Sequence, residues 1–106
     1  MNTVVKIESF DELNDTIQNN KFVVIDFGAT WCGPCKKIKP YFELLAENHK
    51  NCVFCYVDID DCPDIAEEYY INKLPTFLIY KDKENCDEYV GGSEIQMKES
   101  IEKILA

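Results

Sequence analysis

The spacing of apolar and polar positions changes several times along the chain, and each change marks an element. Thr3 to Ile7 is a short β-branched run and predicts a strand. Ser9 and Glu12 stand at capping-box spacing, with Phe10, Leu13 and Ile17 following at helical intervals, so a first helix is expected there. Phe22 to Phe27 reads FVVIDF, the near-continuous apolar run of a strand buried on both faces. From Pro34 to about His49, Ile38, Tyr41, Phe42 and Leu45 trace one face of a longer helix, and Pro40 inside it predicts a kink. Val53 to Ile59 reads as a third strand. Pro63 suits the first position of another helix, with Ile65, Ala66 and Tyr69 facing inward. Thr76 to Tyr80 is a fourth strand, Lys81 to Asn85 a polar loop, and Cys86 to Val90 a fifth strand closing a hairpin. Ser93 and Gln96 cap a last helix with Met97, Ile101, Ile104 and Leu105 inward. The order βαβαβαββα predicts an α/β domain with a mostly parallel sheet covered on both faces.

Length and charge narrow this picture. At 106 residues the chain fits one domain, residues 1–106, with no linker, repeat or low-complexity stretch. Twenty acidic against 11 basic residues leave a net charge of −9, which disfavours nucleic acid and anionic membrane as partners. No apolar run reaches the 18 or so residues of a membrane span, and Met1 to Ser9 lacks the apolar core of an export signal. A cytoplasmic location is therefore expected, and with it mostly reduced thiols. That changes the meaning of the six cysteines. They form too sparse a set for a disulfide scaffold, and redox, metal-binding or core roles are expected instead.

Trp31-Cys32-Gly33-Pro34-Cys35 falls between a buried strand and a helix. A cysteine at a helix start lies among unpaired N–H groups at the positive end of the helix dipole, which favours thiolate, the attacking species. A spacing of three brings the second Cβ to about 5–6 Å, within closing range of a disulfide. Gly33 admits the close approach of another chain, and Pro34 contributes no competing N–H. Asp26 interrupts the apolar strand. Val24 on its own face and Val23, Ile25 and Phe27 on the other argue that both faces are covered, so Asp26 is expected to be buried with a raised pKa.

These residues closely resemble the thioredoxin family. The resemblance spans essentially the whole chain: Val24-Ile25-Asp26-Phe27, Ala29-Thr30-Trp31-Cys32-Gly33-Pro34-Cys35-Lys36, Pro40, Val57-Asp58-Ile59-Asp60, Leu74-Pro75-Thr76-Phe77 and Val90-Gly91. It implies the thioredoxin fold, a central five-stranded mixed sheet flanked by four helices, and a general protein dithiol–disulfide oxidoreductase. By that resemblance Cys32 is the exposed nucleophile, Cys35 the buried resolving thiol, and Asp26 the group that takes the Cys35 proton. It further implies a cis Leu74–Pro75 bond beside the CxxC and a docking surface of Trp31, Gly33, Leu74, Pro75 and Gly91. No bound cofactor or metal is expected beyond the redox-active Cys32–Cys35 disulfide. The implied partners are a thioredoxin reductase and disulfide clients such as peroxiredoxins, methionine sulfoxide reductases or ribonucleotide reductase, with the protein acting as a monomer.

Two departures bear on the site. Tyr56 stands where bacterial members often carry a Lys near the buried carboxylate, and Gly28 replaces a bulkier residue, predicting looser packing there. Two readings compete with catalysis: a thioredoxin-fold subunit or adaptor without activity, and a zinc module. Cys32, Cys35, Cys52 and Cys55 match a zinc spacing. Against it, residues three apart in a strand point to opposite faces, so Cys52 and Cys55 are not expected to share a metal. Cys55 is expected in the core, and Cys86, on an edge strand, without a role. Cys62, before Pro63, is the first candidate for a further reactive thiol, although an ordinary first-turn residue is the simpler reading. His49 is expected on the surface, favoured by a helix C-terminus.

Overall fold

In the computed structural model, which describes residues 2–106, the capping signals act as the sequence predicts. Helix α1 spans Phe10–Asn19, with the Ser9 side chain accepting from the Glu12 N–H at 3.1 Å. Glu12 Oε1 in turn accepts from the Glu8 N–H at 2.6 Å. Helix α4 spans Glu94–Leu105, and Ser93 Oγ accepts from the Gln96 N–H at 3.2 Å. Helix α2 spans Gly33–Asn48 and continues past Pro40, which has no N–H for the preceding turn. Helix α3 is short, Pro63–Glu68.

The strands are β1 Val5–Lys6, β2 Phe22–Gly28, β3 Val53–Asp58, β4 Thr76–Lys81 and β5 Glu84–Val90. They form one sheet in the order β1-β3-β2-β4-β5. β1, β3 and β2 are parallel, whereas β4 runs against β2 and β5 against β4. The mostly parallel expectation is thus corrected: half of the ladders are antiparallel. β4 starts where β2 ends, with Thr76 opposite Phe27, after a connection whose helix, α3, rises only ~9 Å.

β2 separates two buried clusters. Val23, Ile25 and Phe27 pack with Leu13, Ile17, Cys55, Val57 and Ile65 on one face. Val24 packs with Ile38, Phe42, Phe54, Phe77, Met97 and Ile101 on the other. Tyr41, expected inward, is exposed, because Phe42 and Leu45 already fill that side of α2.

The ends of the sheet depart from the sequence reading. β1 pairs only at Val5 and Lys6, shorter than Thr3 to Ile7, as suits an edge with a single neighbour. β5 starts at Glu84 and not Cys86, since Lys81 and Glu84 pair directly across a two-residue turn. Asp82 (φ 51°) and Lys83 (φ 72°) both adopt the left-handed conformation that such hairpins require. The Asp82 N–H is held by the Lys21 carbonyl at 2.8 Å, which substitutes for the usual glycine signal. A bulge between Ile79 and Tyr80 leaves Cys86 as the additional residue of β5.

Candidate active site

The buried β2 strand ends at Gly28 and delivers the chain to the first turn of α2. Cys32 is the N-cap residue itself. Its carbonyl accepts from the Lys36 N–H and its Sγ lies 3.2 Å from the Cys35 N–H. Pro34 occupies the first turn, where an N–H would have no intrahelical partner. Cys32 and Cys35 form a disulfide with Cα atoms 5.3 Å apart, the separation that one helical turn provides.

Exposure does not distinguish the two cysteines as the family resemblance implies. Cys32 is 6% exposed and Cys35 8%, because Ala29, Ile59 and Leu74 pack around both. They differ in what they face. Cys32 lines an open groove of about 420 Å³ with Trp31, Gly33, Pro34, Ile59, Ile71, Asn72 and Leu74. Cys35 lines a separate, similarly open pocket, with Lys36, Lys39, Tyr56 and Asp58 among its walls.

The predicted docking residues are only partly gathered in that groove. Trp31, Gly33 and Leu74 line it; Pro75 and Gly91 do not. Pro75 is buried behind the groove in a cis Leu74–Pro75 bond, and its carbonyl accepts from the Gly91 N–H at 3.1 Å. Gly92 packs against Pro34, so close that a Cβ there would lie 3.2 Å from the proline ring. Sequence reasoning missed Ile59, Ile71 and Asn72, which come from two loops and share no local pattern. It also missed the role of Asp60, whose Oδ2 accepts from Trp31 Nε1 at 2.8 Å and holds the indole 67% exposed. Asp58 supports that loop, its Oδ1 accepting from the N–H groups of Asp60 and Asp61 at 2.8 and 3.3 Å.

Asp26 lies on the α2-facing side of β2 and is 4% exposed, with no hydrogen-bond partner for Oδ1. Desolvation pushes its pKa up to about 7, against a smaller opposing pull from the Lys39 ammonium. Its register neighbour on β3 is Tyr56. Gly28 does not leave the loose packing expected. A Cβ at residue 28 would meet Tyr56 Cε1 at 3.0 Å and Cys35 Sγ at 3.4 Å, so the tyrosine ring fills the space that glycine vacates.

The remaining cysteines stay outside this arrangement. Cys55 is buried on the α1 and α3 face of the sheet and Cys52 on the α2 and α4 face, so the four sulfurs of the zinc spacing do not converge. No group of three or more His, Cys, Asp or Glu among the described residues is placed to hold a metal. Desolvation pushes both thiols up to about 12. Cys62 is buried, with Sγ toward the Ile7 carbonyl at 3.8 Å. Burial, and then the charges of Asp64, Asp61, Glu8 and Asp58, raise its pKa, which favours the ordinary first-turn reading over that of a further reactive thiol. His49 caps α2 and meets Glu102 of α4 at 2.9 Å.

A CxxC disulfide that caps a helix and opens on an apolar groove defines a dithiol–disulfide oxidoreductase. Comparison with known proteins gives the same class. The thioredoxin family model matches residues 3–105. A thioredoxin of Coprinus comatus is 43% identical over 102 residues, covering 94% of this chain and 96% of its own. Among solved structures, Plasmodium falciparum thioredoxin superposes with a TM-score of 0.92 at 36% identity, covering 94% of this chain and 98% of that one. A chain from work on the thiol-resolving mechanism in yeast mitochondrial 1-Cys peroxiredoxin via glutathione/thioredoxin systems superposes at 0.90 with 32% identity, covering 94% of each. The chain belongs to the thioredoxin family, and with its Cys32–Cys35 redox pair it is a general dithiol–disulfide oxidoreductase. No helix of the described residues is long and apolar enough to cross a membrane.

Proposed function

We propose that Cys32 is the attacking thiol and Cys35 the resolving one. The observation that carries this is the division of surroundings: Cys32 lines the groove with Trp31 and Leu74, while Cys35 lies against Gly28 and Tyr56, the register neighbour of Asp26. The Cys32 thiolate, favoured by the α2 amino end, attacks one sulfur of a client disulfide. A mixed disulfide forms and the other client sulfur leaves as a thiolate. Asp26 takes the proton of Cys35, whose thiolate then attacks Cys32 Sγ. The second client thiol is released and the Cys32–Cys35 disulfide closes. Two electrons pass to the client and the pair ends oxidised. Gly33 and Pro34 tune the first turn, and Trp31 and Leu74 dock the client, with Pro75 and Gly91 behind them.

In this reading the chain 1–106 works as one domain and a monomer in the cytoplasm, without a bound cofactor. A thioredoxin reductase returns two electrons to the pair, and peroxiredoxins, methionine sulfoxide reductases or ribonucleotide reductase draw on them for cell redox homeostasis. The peroxiredoxin-related structural neighbour supports the first client class.

The test is insulin reduction with dithiothreitol as donor, followed by trapping. Cys32→Ser abolishes catalysis. Cys35→Ser leaves attack intact and accumulates a mixed disulfide, located at Cys32 by mass spectrometry. A non-catalytic adaptor would give only the uncatalysed rate, and an adduct on any other cysteine would overturn the order of attack.

A further inference from the structure

Helix α3 ends in a turn that dictates one backbone conformation. The Tyr70 N–H donates to the Glu67 carbonyl at 3.1 Å and the Ile71 N–H to the Ala66 carbonyl at 2.9 Å. With Tyr69 as the C-cap, this pair of bonds places the next residue in the left-handed region, and Tyr70 has φ 55°. Glycine serves there without penalty and asparagine tolerably, because other side chains crowd the neighbouring carbonyl. A bulky aromatic is an outlier at such a position. Burial does not compensate it, since Tyr70 is 90% exposed. Neither the backbone nor the core accounts for a tyrosine at residue 70.

Its place does. Ile71 and Asn72, the next two residues, line the groove that opens on Cys32. The turn thus leaves an exposed ring on the residue that immediately precedes two groove-lining residues, and the same groove wall includes Trp31, itself held outward by Asp60. Tyrosine and tryptophan are the side chains that concentrate binding energy in protein interfaces, because they offer large rigid surfaces at little entropic cost.

We propose that Tyr70 is a specificity-determining residue that docks the polypeptide on one side of a client disulfide. It extends the groove for protein clients and leaves the chemistry at Cys32 unchanged. The partner is a protein disulfide with ordered chain beside it, and a small-molecule disulfide is too short to gain from the ring. This inference rests on the groove reading given above.

The experiment mixes the reduced protein with excess insulin or with cystine in single-turnover stopped flow. Oxidation is read from Trp31, the one tryptophan of the chain. Tyr70→Asn should slow insulin reduction about fivefold, the loss typical of a substantial interface residue. Cystine reduction should stay at the parent rate, and relief of the left-handed strain should raise Tm by about 4 °C. Tyr70→Phe, which keeps the ring, should retain the insulin rate. An unchanged insulin rate for Tyr70→Asn, or equal slowing on both substrates, would overturn the proposal. If the parent protein reduces neither substrate, the docking reading of the groove falls first and this inference with it. An active parent with an indifferent Tyr70→Asn removes this inference alone.

Discussion

Two cysteine pairs in this chain share one spacing and differ in everything else. Cys32 and Cys35 straddle the first turn of α2 and are joined. Cys52 and Cys55, also three apart, lead into and along β3 and point into opposite cores. A helix turns 300° over three residues and brings the side chains back together, whereas a strand alternates and separates them by about 10 Å. Electrostatics follows the same division. The first pair stands at a helix amino end, where a developing thiolate meets free N–H groups. The second is enclosed by apolar side chains, and desolvation pushes both thiols up to about 12. The motif carries chemistry only through the element that presents it.

The widest test of that contrast is selective alkylation of the reduced, folded protein at pH 7. A thiol with a pKa of about 12 is thiolate to roughly one part in 10⁵ at that pH, against a few per cent for an ordinary thiol. Cys32 should react first and exposed Cys86 next. Cys52 and Cys55 should react at least about 10³-fold more slowly, and buried Cys62 more slowly than Cys86, until the protein is unfolded. Peptide mass spectrometry over time gives all the rates in one series. Comparable labelling of Cys55 and Cys86 would remove the contrast.

A smaller but sharper effect is expected at Asp26, the buried carboxyl of β2. Its folded pKa of about 7 lies above the ordinary 3.8, so the native state holds a proton that the unfolded chain releases. Stability from this group is therefore full below about pH 4 and declines as pH rises toward 7, after which the loss is constant. Three units correspond to about 4 kcal/mol, taken as an upper bound. Asp26→Asn should match the parent near pH 4 and exceed it by about 2–4 kcal/mol at pH 8, measured by urea unfolding at both pH values. Its insulin reduction should be slower throughout. A variant that is fully active and no more stable at pH 8 would return Asp26 to a structural role.

The contrast also explains how much could be read from the sequence. The CxxC helix, the buried FVVIDF strand and both Ser caps were legible because their causes are local: dipole, periodicity and one side-chain bond each. Fold and redox class followed from the resemblance those residues carry. The reversal of β4 was not legible from composition, because it depends on the end of the sheet at which the chain re-enters after α3. The Asp82–Lys83 turn was hidden because its anchor is the distant Lys21 carbonyl. Ile59, Ile71 and Asn72 join the groove only through tertiary packing, and their sequence context gives no sign of it. Cys62 shows the same dependence: its helix-start position left two readings open, and burial against the Ile7 backbone with four neighbouring carboxylates favours the ordinary one.

The smallest predicted effect isolates what the second pair contributes. Cys55 is fully buried among Ile25, Val57 and Ile65 and makes no disulfide, so its contribution is packing alone. Cys55→Ala removes one sulfur from a close-packed site and should cost about 1–2 kcal/mol of stability. Cys55→Ser places a hydroxyl in the same apolar space and should cost more than alanine, since the new polar atom gains no partner sufficient to offset its desolvation. Neither change should alter insulin reduction at 25 °C, where both variants remain folded. The ordering of the two substitutions tests the argument: packing demands that serine be the worse, whereas a redox or metal role for Cys55 would make both equally damaging to activity. Urea unfolding and single-turnover reduction on the same preparations separate these outcomes.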